Sequence, residues 1–215
     1  LLGALRVTRR LNGSDLVQEI RLRRGSRRLD FVTRMDWRER HKLLKVGFTV
    51  DIHADEALHE IQFGHVRRPT HRSRPHDQAR FEVCNQKWSA LAEEHRGVAL
   101  LNDCKYGLNV LGNTLNLTLL RSPLAPDEQA DQGAQEFTYS FLFWNGGLPQ
   151  SGIVHQAYEL NVPATTAPGG GDTSRSCLEV TLRHISDAVI VSDGQGLVTL
   201  MNPLGGTFGY YSMLR

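Results

Sequence analysis

The feature that most constrains this chain is alternation. Apolar and polar residues switch with a period of two in segment after segment: "LRVTRRL", "LVQEIRLR", "LDFVTRMDW", "LLKVGFTVDI", "LHEIQFG", "RFEVCN", "VALLND", "LNLTLLR" and "FTYSFLFW". A strand sends successive side chains to opposite faces, so this pattern specifies half-buried strands. One short stretch, "KWSALAEEHRG" from Lys87, reads as a helix with Gly97 as its stop. Turn signals such as Asn12-Gly13 and Arg24-Gly25 separate the strands. Many short strands so punctuated predict a mainly β chain, an antiparallel β-sandwich with little helix.

Two compositional breaks organise the 215 residues. The Pro- and Asp-rich "SPLAPDEQADQG" between "LNLTLLR" and "FTYSFLFW" is too polar for a core strand and predicts a surface loop. The second break, "VPATTAPGGGDTSRS" from Val162 to Ser176, is rich in small residues and marks a tether or excursion. The expected organisation is a sandwich over residues 1–162, a linker over 163–176, and a remainder over 177–215.

Net charge is only +2, yet the first 45 residues hold 13 Lys and Arg against five Asp and Glu. Such an excess can form a phosphate-binding face. In "VQEIRLRR", however, Val17, Glu19, Arg21 and Arg23 share one face while Ile20 and Leu22 alternate with them, as on a strand with one wet side. No aromatic interleaving accompanies the charge, so a solvated strand face is expected rather than a nucleic-acid partner. No apolar run approaches the ~20 residues of a membrane helix, and no basic segment leads into a short apolar one. Cys84, Cys104 and Cys177 are widely spaced and form no CxxC pair, which favours reduced thiols over a disulfide framework or a thiolate zinc site. The expectation is a cytoplasmic chain with no membrane partner. Its first residue is Leu1 rather than Met, in keeping with a piece of a longer protein.

The candidate chemistry is sparse. His53, His59, His65 and His71 recur every six residues, followed by His76. Six residues of extended strand span about 20 Å, so consecutive members cannot share a metal along one strand. His71 with Asp77 in "RPTHRSRPHD" is the most plausible functional pair, because forks of Arg surround it that can hold hydroxyls or carboxylates. Asp30, Asp36, Glu39, Glu60, Glu82 and Asp103 are available as acids or bases, but their spacing selects no pair. Asp103-Cys104-Lys105 in "GVALLNDCKYG" has the look of a nucleophile cluster, without a Ser elbow, P-loop or dinucleotide fingerprint anywhere. No catalytic residue is assigned, and Cys104 is read as a small packing residue.

Four ordered blocks carry a resemblance. "DFVTRMDWRERHKLLKVGFTV" (Asp30–Val50), "HEIQFGHVRRPTH" (His59–His71), "ARFEVCNQKWSALAEEHRGVALLNDCKYG" (Ala79–Gly107) and "LTLLRSPLAPDEQADQGAQEFTYSF" (Leu117–Phe141) resemble the carboxy-terminal region of the retaining α-mannosidases of glycoside hydrolase family 38, in its cytosolic and bacterial branch. The resemblance spans roughly residues 1–162. It implies a galactose-mutarotase-like supersandwich beside upstream catalytic and helical domains, which become this chain's expected partners. It also implies a parent that cleaves terminal α-mannosides and oligosaccharides with an Asp nucleophile, an Asp acid/base and zinc. The motifs for those carboxylates and zinc ligands lie upstream in the family, so none is expected here and no metal is expected on this chain.

By the same resemblance, the sandwich lends residues to the rim of the sugar pocket, for which Arg121, Asn102, Asp103, Tyr106 and His71 are the candidates. A homo-oligomer stays open. One departure stands at "FTYSFLFW", where Phe143-Trp144 replaces the family's Pro-His. Another is "LRHISDAVIVSDGQGLVTLMNP" (Leu182–Pro203), which resembles the opening of a PAS sensor domain with Asp193-Gly194 as a hairpin turn. The alternative is that these residues are the sandwich's own last strands. A rival reading of the whole chain is a non-catalytic carbohydrate-binding or sensory β-module.

Overall fold

A computed structural model describes residues 1–162, with the backbone of two further strands at 190–192 and 198–201. Strands form where the alternation predicts them. The first hairpin pairs β1 (Leu2–Leu11) with β2 (Ser14–Arg23) through Asn12-Gly13, with Asn12 in the left-handed region at φ 55°. Next come β3 (Arg28–Trp37), β4 (Leu43–Thr49), β5 (Glu56–Ile61) and β6 (Gly64–Pro69). After the short helix α1 (Pro75–Ala79) follow β7 (Val83–Cys84), β8 (Trp88–Ala92), β9 (Arg96–Asn102), β10 (Gly107–Leu111), β11 (Thr114–Arg121) and β12 (Gly133–Asn145). A second helix, α2 (Ile153–Asn161), closes the first of two compact units, Leu1–Asn161 and Val162–Arg215.

Among the described residues all pairings are antiparallel. Within the first unit one sheet has eight strands in the order β1-β2-β3-β12-β9-β8-β5-β6, and a second has four in the order β4-β11-β10-β7. Their facing sides enclose Leu16, Met35 and Phe137 of the large sheet with Leu108, Leu115 and Leu117 of the small one. The gap is also filled by aromatics: Phe31 stacks on Tyr139 at 4.9 Å between centroids, and Phe48 on Phe141 at 5.1 Å. This is the antiparallel sandwich expected from the alternation, with side chains from both inner faces making one core.

The run "VALL" reads differently from the other strands because β9 is buried on both sides. Val98 and Leu100 face the inter-sheet core, while Ala99 and Leu101 meet Trp88, Leu142, Trp144, Ile153 and Ala157 on the outer side. Helix α2 supplies that outer cover. It is fastened by Arg28, whose Nη1 donates to the Gln156 carbonyl at 2.9 Å and whose Nε donates to Asp30 at 2.8 Å. The outward face of β1–β3 carries Arg6, Val17, Glu19, Arg21, Val32 and Arg34, the solvated strand face expected for the basic amino-terminal region.

Three expectations need correction. "KWSALAEEHRG" is no helix: Trp88–Ala92 and Arg96–Asn102 are neighbouring strands joined by a tight turn in which Glu93 N–H donates to the Arg96 carbonyl. Both faces of this hairpin are buried, and a helix presents only one face to a sheet, so burial overrides the Ala- and Glu-rich propensity. "LHEIQFG" is not one strand, because the chain reverses at Gln62-Phe63 and Ile61 pairs with Gly64. The "one wet side" of β2 holds only near its start. Leu16 is buried, but Leu22 and the neighbouring β1 residue Leu5 are 47% and 62% exposed, since the four-stranded sheet is too narrow to cover the outer edge of the large one.

"SPLAPDEQADQG" is the irregular connection between β11 and β12, mostly exposed as expected, with Ser122 turned inward to accept from the Trp37 indole at 2.7 Å. In the second unit, β13 (Ile190–Ser192) pairs antiparallel with β14 (Val198–Met201). The linker at 163–176, the turn Asp193-Gly194 and Cys177 lie outside the described residues.

Candidate functional site

The stretch "LLNDCKYG" turns the chain from β9 into β10. Asn102, at the end of β9, is 1% exposed and its amide is consumed internally. Nδ2 donates to Asn85 Oδ1 at 3.0 Å and to the Gln86 carbonyl at 2.9 Å, while Oδ1 accepts from Lys105 N–H at 2.8 Å. Its own carbonyl accepts from Asn161 Nδ2 at 3.0 Å, so the same residue ties the turn to the end of α2. Asp103 bridges to β12, accepting from Thr138 N–H at 2.8 Å through Oδ2. Its Oδ1 is buried without a hydrogen-bond partner among the described residues. Partial burial and the adjoining Asp103 carboxylate push the Cys104 thiol up to about 11. That direction opposes thiolate chemistry. Cys104 is exposed, which does not fit its expected part as a small packing residue. Tyr106 is exposed, while its carbonyl accepts from the backbone and side chain of the buried Asn85.

Arg121 stands elsewhere, at the end of β11, with its N–H donating to Asp131 at 2.8 Å. Its side chain borders an open cleft of about 490 Å³ shared with His41, Lys42, Phe81, Glu82 and Ser122. Glu82 is bonded by Lys45 and by Thr118 Oγ1 at 2.7 Å. Against the opposing effect of burial, those donors and nearby Arg121 hold its carboxyl below the usual range. Glu39, outside that lining, holds the cleft residue Lys42. It accepts from Lys42 at 2.5 Å, from Gly13 N–H at 2.8 Å and from Ser14 Oγ at 3.1 Å, and the lysine bond chiefly keeps it ionised. Such carboxylates are suited to holding cations and hydroxyl donors, not to giving up a proton.

His71 lines a second, smaller cavity with His59, Arg68, Arg72, Asp77 and Arg80. Phe81 borders both cavities, so the cleft of Arg121 and the cavity of His71 adjoin across one ring. The five candidate residues therefore divide: His71 and Arg121 face neighbouring cavities, whereas Asn102, Asp103 and Tyr106 line neither. Sequence reading passed over Phe81, Lys42 and Lys45. A signal for Phe81 existed in the alternation of "RFEV", which sets Phe81 and Val83 on one side and Glu82 on the other.

The class of protein is now defined: a helix-backed, two-sheet antiparallel sandwich whose polar groups are mostly spent on its own scaffold, with a charged cleft at one edge. The chain belongs to the glycosyl hydrolases family 38 C-terminal domain family, which it matches over residues 1–129. It is 46% identical to α-mannosidase 2C1 of Mus musculus over 171 residues, 78% of this chain and 16% of that protein. It is 48% identical to α-mannosidase G of Dictyostelium discoideum over 70% of the chain and 14% of the relative. The chain thus spans only 12–16% of the length of the curated relatives it matches. Among solved structures, an α-mannosidase from Enterococcus faecalis V583 shares the fold with a TM-score of 0.65 and 20% identity, over 74% of this chain and 19% of that one.

The zinc that the family resemblance implies finds no ligand set here. Among the described residues, no three His, Cys, Asp or Glu side chains gather as metal ligands. Of the evenly spaced histidines only His59 and His71 line a common cavity; His65 tilts against the Trp88 ring, His53 lies in a loop and His76 on α1. These residues do not fit the metal. No helix among the described residues is long and apolar enough to cross a membrane.

Proposed function

We propose that this chain is the carboxy-terminal sandwich, over residues 1–162, of a retaining, zinc-dependent α-mannosidase that removes terminal α-mannosyl units from oligosaccharides in the cytosol. The observation that carries the reading is the 46% identity to mouse α-mannosidase 2C1 along 78% of the chain. Retaining hydrolysis needs one carboxylate to attack the anomeric carbon and a second carboxylic acid to protonate the leaving oxygen, about 5–5.5 Å apart. The carboxylates of this sandwich have other work: Asp30 holds Arg28, Asp36 holds Arg38, Glu60 accepts from Lys87 N–H at 2.6 Å, and Glu39 and Glu82 hold lysines.

Both catalytic carboxylates and the zinc ligands are accordingly assigned to other domains of the parent enzyme. This chain supplies the scaffold on which those domains pack, and the side chain of Arg121 reaches the sugar-pocket rim from its cleft. The test has two arms. The 215-residue chain alone produces no 4-nitrophenol from 4-nitrophenyl α-mannoside, while the longer polypeptide that contains it does. In that polypeptide Arg121→Ala raises KM without lowering the melting temperature. Turnover by the chain alone, or none by the longer polypeptide, overturns the assignment.

A further inference from the structure

The cavity of His71 lies where the β5–β6 edge of the large sheet faces the β7–β10 side of the small one, and the connection from β6 to β7 closes it. Arg68 enters from β6 on the inner face of its sheet, opposite Ala57 of the core. Arg72 and Arg80 enter from the two ends of the closing connection. His59 forms the floor at 1% exposure, and its Nδ1 lies within 2.9 Å of Ser89 Oγ, the one hydrogen-bond contact of this imidazole among the described residues. Three arginines, His59 and His71 thus line one space between two sheets, together with Asp77.

Their charge is not neutralised from within. Among the described residues no carboxylate pairs with Arg68, Arg72 or Arg80, and Arg68 Nη1 donates only to the Cys84 carbonyl at 3.1 Å. The acids of the closing connection are engaged elsewhere. Asp77 accepts from Arg74 N–H at 3.2 Å and sits 3.3 Å from His76 Nε2, and Glu82 is turned to Lys45 and Thr118. Burial first, and then the Arg80 cation against a pull from Cys84, displace Arg68 below the ordinary guanidinium range. Cations held together in a half-dry cleft call for an acceptor-only ligand.

We propose that this cavity is a binding site for a small oxyanion, a phosphate or a carboxylate, held by Arg68, Arg72 and Arg80 over the imidazole of His59. Size supports the class. The space is about 40 Å³, enough for about three water-sized centres and too small for a sugar ring. Guanidiniums present paired N–H donors in the planar fork that matches oxyanions, and they exclude a cation from the same place. With Ser89 Oγ–H donating to Nδ1, His59 offers Nε2–H as the fourth donor; the anion selects that tautomer. Asp77, whose Oδ2 accepts from Arg74 N–H, also lines the space and keeps the site selective for anions small enough to stay clear of it. The site does not depend on the mannosidase reading and stands or falls separately.

The experiment titrates the 215-residue chain with inorganic phosphate and with acetate at constant ionic strength balanced by chloride, following the His59 imidazole resonances by NMR. A saturable shift with phosphate assigns a phosphate site, and one with acetate a carboxylate site. Arg68→Gln and Arg80→Gln each weaken that binding about tenfold or more, as loss of a charge-assisted donor does. Arg34→Gln, on the outward face of β3, leaves it unchanged. Arg80 is exposed, so its variant reads the site even where Arg68→Gln does not fold. Non-saturating shifts, equal shifts with chloride, or full binding in Arg80→Gln overturn the site.

Discussion

Gly97 and Trp144 are direct cross-strand partners between β9 and β12, and the indole of Trp144 occupies the space where a side chain on Gly97 would project. Phe143 and Trp144, neighbours at the end of β12, divide cleanly. Phe143 points outward at 50% exposure, while Trp144 is 2% exposed beneath α2. Glycine at position 97 is therefore a packing requirement of the tryptophan, not the helix stop that the local sequence implied. Gly97→Ala forces a rigid, buried ring to move and is expected to cost about 1–3 kcal/mol of stability by urea denaturation. An unchanged midpoint would mean that the indole relocates freely.

Within "LLNDCKYG" the stability is concentrated at the first polar residue. Asn102→Ala strands the Asn85 and Gln86 acceptors and the Lys105 N–H, and is expected to cost about 2–3 kcal/mol. Tyr106→Ala, at an exposed ring, stays within about 0.5 kcal/mol. Equal losses from the two would contradict the division between anchor and surface in this turn.

Arg28 holds α2 against the large sheet. It is 7% exposed and contacts Asp30, the carbonyl and side chain of Gln156, and Glu159 at 3.4 Å. Arg28→Ala leaves Asp30, itself largely buried, without its cation, and is expected to cost about 3–5 kcal/mol. Amide exchange in Ile153–Asn161 is expected to speed up before that of β9 and β12. Uniform acceleration across all three would show that α2 is not separately fastened.

Burial, reinforced by the Arg68 cation, lowers His59 from its ordinary value near 6.5 to about 4. The unfolded chain then binds the proton that the folded chain refuses, so stability rises with pH between these values. His59's contribution is full above about pH 6.5 and fades as pH falls toward about 4, by about 3 kcal/mol at most. Glu39 and Glu93 are lowered from 4.5, so their loss belongs to still more acidic solution. His59→Asn is expected to flatten unfolding free energy between pH 6.5 and 5. A slope unchanged in the variant would assign the dependence to another group.

Much of this architecture was legible because a strand's period of two is a local property. "LDFVTRMDW" and "LNLTLLR" each state which residues face inward, and β3 and β11 follow them, whereas "LRVTRRL" forms β1 but lies mostly uncovered. "KWSALAEEHRG" misled for the complementary reason: β8 and β9 are covered on both faces, so their side chains need not alternate and nothing local separates them from a helix. Helix α2 was missed because Ile153 and Ala157 make a short apolar stripe whose meaning depends on the sheet beneath it. Of the site candidates, Arg121 came from the family resemblance and His71 from its polar, Arg-rich loop, but their adjacency across Phe81 joins residues from β11, the β6–β7 connection and α1's flank. No spacing along the chain encodes that.

The sequence by itself determined the strand-rich class, the family and the extent of the sandwich's homologous blocks, since these depend on local periodicity and on ordered motifs. Tertiary structure alone decided that Asn102 anchors a turn while Arg121 borders a cleft, that Gly97 is empty to admit Trp144, and that Arg68, Arg72, Arg80 and His59 share one cavity. Those relationships come from which strands become neighbours in a sheet and how far one sheet overlaps the other. Non-local pairing and burial set them, and residue type leaves them undetermined.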